Sequence, residues 1–120
     1  MRDHTKLKAF QLADDLVIAI YEVTATWPQH ERFGLTMQIR RAAVSGASNI
    51  VEGCARHSES DYLHFLDIAY GSACEVGYQL SVGRRLKFAH DDKVVALAQE
   101  TAKVLNGLIG SLRRAGRPEV

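Results

Sequence analysis

Residues 38–58, QIRRAAVSGASNIVEGCARHS, decide how this chain folds. At about 100° per residue, a helix through this stretch has three separate surfaces. Leu35, Ile39, Ala42, Ala43, Gly46 and Ile50 form one apolar face, with small residues that permit close approach of a neighbouring helix. Met37, Val44 and Val51, spaced seven apart, form a second apolar file on another side. Gln38, Arg41, Ser45, Asn49 and Glu52 form a polar file on the remaining flank. A helix with two apolar files needs two partners. One is an intramolecular core. The other is either a second neighbour in the same bundle or another subunit.

The pattern extends in both directions. Phe10, Ala13, Val17, Ile20, Thr24 and Trp27 recur at three- and four-residue steps, which predicts a core-facing helix over about 8–26. Pro28 opposes its continuation, and TWPQHERFG reads as a connection. The second helix is expected over about 35–55, with a break at RHSES. Ser58 or Ser60 can cap a third helix over about 60–88, with Asp61 in its first turn. Its stripe is Tyr62, Leu66, Ala69, Ala73, Val76 and Leu80. Leu63, Tyr70 and Gly77 make a second file on it, seven apart. Between Asp67 and Arg84 the one formal charge is Glu75, so this helix should be covered on several sides. Asp91 or Asp92 can cap a fourth helix over about 92–114, with Val94, Leu97, Thr101, Val104, Leu108 and Leu112 as its stripe. GRPEV reads as a frayed tail. Period-two alternation and hairpin turn signals are missing. Four helices with short connections predict an all-α, antiparallel up-down-up-down bundle in one domain spanning residues 1–120. The doubled apolar files, Met37, Val44 and Val51 with Leu63 and Tyr70, predict a homo-oligomer interface.

Composition narrows the function. The chain has 120 residues, is 47% hydrophobic and carries a net charge of +1, so it has no global basic excess. Any nucleic-acid surface must come from local clustering. Cys54 and Cys74 lie in apolar helical contexts and read as small buried hydrophobes in a reducing compartment. MRDHTKLKAFQLADD lacks the apolar run of a signal peptide, and no window approaches a membrane span of roughly 18 apolar residues. The expectation is a soluble cytoplasmic protein without membrane contact. Di-iron bundles use Glu-x-x-His repeats, which this chain lacks. Asp61, His64 and His57 read as a surface helical group. Phosphate loops and a nucleophile context for either cysteine are missing. No cofactor, metal or catalytic residue is expected.

If the polar file is buried, each member needs a partner. Glu75 is the candidate partner for Arg41, and Ser45 and Asn49 can bond across to neighbouring helices. Gln38, Arg41, Ser45, Asn49, Glu52 and Glu75 are thus expected to form a structural network that sets helix register. A solvated ligand groove is the alternative. For nucleic acid, an up-down bundle gathers the start of the first helix, the end of the second and the end of the fourth at one end. Arg2, Lys6, Lys8, Arg56, Arg113, Arg114 and Arg117 meet there, against Asp3, Glu59, Asp61 and Glu119. A ring would repeat this cluster in every subunit and so raise local basic density. The competing reading is that Arg113 and Arg114 complement a helix dipole. No aromatic residue interleaves with that cluster, so it is no stacking platform for single strands.

FGLTMQIRRAAVSGASNIVEG, with YLHFLDIAYGSACEVGYQL after a Ser-rich break, resembles the small bacterial family named for open reading frames in intervening sequences of the 23S ribosomal RNA gene. The family pattern maps onto Phe33 to Leu35, Gln38 to Ala42, Ser45, Asn49 to Gly53 and Ala69 to Glu75, and Trp27 to Phe33 also fits. The resemblance implies an antiparallel four-helix bundle, ring-shaped homopentamers and no established enzymatic activity. It also brings in a related family, the accessory variability determinants of diversity-generating retroelements. These form a basic barrel that binds nucleic acid and a reverse transcriptase. A net charge of +1 departs from that basic character. Three functions follow: an RNA- or DNA-binding module, a scaffold for a protein partner, or an enzyme, with the last disfavoured by the residues.

Overall fold

The structure, a computed structural model, describes residues 2–116. Four helices run Lys8–Thr24 (α1), Leu35–Cys54 (α2), Glu59–Arg85 (α3) and Asp92–Ala115 (α4). Short 3-10 turns at His4–Lys6 and Gln29–Glu31 precede α1 and α2. Consecutive helices pack on one another, and α4 closes the cycle against α1. The result is an up-down-up-down bundle 54 × 24 × 21 Å, with no strand among the described residues.

Local chemistry sets the helix limits. The Ser58 hydroxyl accepts from the Asp61 amide at 3.0 Å and starts α3. The Asp91 carboxylate accepts from the Lys93 amide at 2.9 Å and starts α4. Helix α1 ends two residues before the expected Thr26, because Trp27 turns back into the bundle. Its indole nitrogen donates to the Ala89 carbonyl at 3.0 Å, and its ring packs on Phe88. Helix α3 ends at Arg85 rather than Phe88. Lys87 adopts a left-handed φ of 65°, and the Phe88 amide reaches back to the Gly83 carbonyl at 2.9 Å. This is a Schellman closure with lysine at the site glycine prefers. Trp27 also explains Gly83: a Cβ there would lie 2.8 Å from the indole ring.

The core has two halves. Leu16, Ile20, Trp27, Ile39, Ala43, Val76, Leu80, Val94 and Ala98 fill the half near the α1–α2 and α3–α4 connections. Ala13, Ile50, Cys54, Tyr62, Leu66, Ala69, Leu105 and Ile109 fill the half near the chain termini. The expected apolar face of α2 and the whole expected stripe of α3 lie in or against these halves. In α4 the buried positions are Val94, Ala98, Thr101, Leu105 and Ile109, a stripe turned slightly from the expected one. Leu97, Val104, Leu108 and Leu112 sit half-buried at its edges, because α4 touches both α1 and α3.

Candidate functional site

At the expected basic end, three of the six described cations are answered by carboxylates within the fold. Arg2 pairs with Glu59 and lies over the Tyr62 ring, 3.8 Å from its centroid. Its amide donates to the Cys54 carbonyl, so the residue straps the N-terminal segment across the α2–α3 turn. Arg56 pairs with Glu52 one turn earlier at 3.1 Å. Arg113 donates to Asp67 on α3 at 2.6 Å. Lys6, Lys8 and Arg114 are exposed and join no ion pair among the described residues. Arg117 lies outside the described residues. Beneath this end, burial pushes the Tyr62 phenol up to about 12 and raises the Cys54 thiol.

The polar file of α2 is a half-open edge rather than a buried network. Gln38, Arg41 and Glu52 are exposed, and Ser45 and Asn49 are half-buried. One bond crosses to a neighbouring helix, between the Ser45 and Ser72 hydroxyls at 3.0 Å. Asn49 stays local: its amide donates to the Ser45 carbonyl at 2.8 Å. The expected Arg41–Glu75 pair does not close. Both side chains are exposed and line one cleft of 270 Å³ between α2 and α3. Exposure explains this, since water solvates both charges and an exposed pair contributes about 0–1 kcal/mol.

The two apolar files part ways. Leu63 and Tyr70 are half-buried against the core half that holds Leu105 and Ile109 of α4. The bundle core thus takes part of each side chain and leaves the rest accessible. Met37 is half-buried, while Val44 and Val51 are 39% and 36% exposed. This file faces outward beside α1.

Beside that file lies a site that the linear sequence conceals. A groove of 540 Å³ opens between α1 and the start of α2. Arg32, Arg40, Arg41, Tyr21 and Phe33 line it with Thr36, Met37, Val44 and Ser45, and none of the lining residues is acidic. Phe33 is 77% exposed and Tyr21 44%. The Arg40 guanidinium lies 4.5 Å from the Tyr21 ring centroid, and its Nε donates to the Thr24 hydroxyl at 2.9 Å. Arg32 lies 5.3 Å from the Phe33 ring centroid. The Thr36 hydroxyl is buried in the wall with no hydrogen-bond partner. Arginine planes thus stand beside accessible rings, which is the chemistry of stacking on a base and holding a phosphate. The signal in sequence was Arg32-Phe33 followed by Arg40-Arg41, but Tyr21 joins them only through packing.

Among the described residues no group of three or more His, Cys, Asp or Glu is placed to hold a metal, and no helix is long and apolar enough to cross a membrane. The model of the 23S rRNA-intervening sequence protein family matches residues 5–110, most of the bundle. The chain belongs to that family. It is also similar to a protein of unknown function from the S23 ribosomal protein family of Bacteroides thetaiotaomicron. The two share 22% identity at a TM-score of 0.76, over 85% of this chain and 95% of the other. At that identity the likeness speaks for the fold. No curated protein matches the chain. Phe33 and Arg40, which carry the intervening-sequence pattern, are also lining residues of the groove.

Proposed function

We propose that this intervening-sequence family member is a non-enzymatic, self-assembling cytoplasmic protein that binds single-stranded RNA or DNA in the α1–α2 groove. One observation carries the reading: three arginines and two exposed rings line a groove with no acidic lining residue. The basic end supports it less well, because Glu59, Glu52 and Asp67 pair with Arg2, Arg56 and Arg113 and place acids at the same end as the exposed Lys6, Lys8 and Arg114. Exposed Val44 and Val51 supply an apolar ridge along α2 for contact with another copy.

The test is a fluorescence-anisotropy titration with single-stranded RNA, single-stranded DNA and duplex DNA at two salt concentrations. Particle mass is recorded on the same sample. The reading expects single strands to bind more tightly than duplex, with affinity falling steeply as salt rises. Phe33→Ala should weaken single-strand binding by about 1–3 kcal/mol, the cost of a lost stacking platform. The second reading is a scaffold for a protein partner, favoured by the exposed apolar Ile18, Phe33, Val44 and Val51. An intact oligomer that binds no nucleic acid even at low salt would select it.

A further inference from the structure

The cleft between α2 and α3 raises a separate question. Gln38, Arg41 and Ser45 line it from α2, and Ser72, Glu75 and Gln79 from α3. Gln79 is 6% exposed, yet its Oε1 has no hydrogen-bond partner. A buried carbonyl oxygen left unmatched costs about 1–3 kcal/mol, so its presence in a tightly packed helix pair calls for an explanation. Replacing the amide by an apolar side chain of similar size would remove that cost, and the chain instead keeps it at a cleft wall. Above Gln79 stand one guanidinium and one carboxylate that do not pair with each other among the described residues. The Ser45 and Ser72 hydroxyls bond to each other at 3.0 Å and together retain further donor or acceptor capacity.

We infer that this cleft binds a free amino acid: its carboxylate on Arg41, its ammonium on Glu75, and a polar side chain on the Gln79 amide and the two serines. Three features favour this occupant. Charges of both signs flank the cleft, which fits a zwitterion better than an anion or a cation. At 270 Å³ the cleft lies just below the roughly 300–1,000 Å³ of ordinary small-molecule sites, which suits a ligand as small as an amino acid. The Gln79 amide has both a donor and an acceptor end, so a side-chain carboxamide can match it reciprocally, and glutamine and asparagine are the expected best ligands. The site goes beyond the strand-binding reading and shares only Arg41 and Ser45 with the groove.

The test is calorimetric titration of the full chain with a panel of free amino acids, and with N-acetylated and C-amidated glutamine, which each lack one charge. Saturable binding of glutamine or asparagine is expected. Each capped form should bind about tenfold more weakly or worse, the scale of one lost charge-assisted hydrogen bond. Glu75→Gln should weaken binding by a similar factor. Gln79→Met should weaken it while keeping the bundle folded, because it replaces the unmatched amide with an apolar side chain of like size. Phe33→Ala should leave amino-acid binding unchanged, which separates this site from the groove. Three results would overturn the inference. One is no saturable binding by any amino acid up to about 10 mM. Another is capped and free glutamine binding alike. The third is a Gln79→Met variant whose particle mass changes while amino-acid binding does not, which would assign the cleft to a second copy of the chain.

Discussion

The two ends of the bundle use arginine in opposite ways. At the end that holds the chain termini, Arg2, Arg56 and Arg113 each meet a carboxylate, and Arg2 also covers Tyr62. These cations tie segments together. At the other end Arg32 and Arg40 stand beside Phe33 and Tyr21, in a groove whose lining holds no acid. The comparison teaches that a cluster of basic residues in a sequence is not yet a positive surface. What counts is whether the fold brings acids to the same place. Here it brings them to the end with more cations and leaves them out of the groove with fewer.

The sharpest way to break this comparison is to unseat the groove end itself. Trp27→Ala removes a buried indole and its bond to the Ala89 carbonyl, and should cost about 3–5 kcal/mol by denaturant unfolding. At the opposite end the expected effect is pH-dependent. The Tyr62 phenol is raised from 10.0 to about 12 in the folded chain, chiefly by burial, so the native state holds its proton longer than the unfolded state. That stability is fully present below pH 10 and is lost as pH rises towards 12. In Tyr62→Phe the loss across this window should be shallower by up to about 2–3 kcal/mol, measured by urea unfolding at successive pH values.

Two glycines sharpen the contrast further. Gly83→Ala puts a Cβ 2.8 Å from a fixed indole ring and should lose about 1–2 kcal/mol, overpacking set against the better helix propensity of alanine. Gly53→Ala at the other end meets the Phe65 Cβ at 3.0 Å, a milder conflict that the propensity gain of about 1 kcal/mol should largely offset. Thermal unfolding of the two variants side by side checks this order. One expected effect is a gain. Lys87→Gly relieves a left-handed lysine and should raise stability by up to about 1 kcal/mol.

Much of the fold was legible because period and capping are local signals. The α3 stripe from Tyr62 to Leu80, the α2 face from Ile39 to Ile50, and the caps at Ser58 and Asp91 all rest on residues within a few turns of one another. The helix ends were less legible where distant residues decide them. Trp27 leaves α1 for a carbonyl 62 residues away, and Lys87 takes a conformation that its residue type does not announce. The site was harder still. Arg2 and Glu59 are 57 residues apart, and Arg113 and Asp67 are 46 apart, so the pairing of these two arginines is a property of packing. The same holds for Tyr21 against Arg40. For Leu63 and Tyr70, spacing alone left two candidate neighbours, another subunit or a second helix of the same bundle, and the fold packs both half-buried against the core. The α2 polar file showed its spacing but not its depth. Depth depends on how closely α3 approaches, and that approach leaves a cleft.

The measurement that bears most directly on the central claim removes two charges from each end and compares the losses. Arg32→Gln/Arg40→Gln and Arg56→Gln/Arg113→Gln would be titrated with the same labelled single strand at the same low salt, with particle mass recorded for both. The groove pair should weaken binding about tenfold or more and lower the salt dependence by close to two phosphate contacts, while the end pair changes affinity by less than about threefold. A larger loss from the end pair, with both particles intact, would return the binding surface to the basic end and contradict the account.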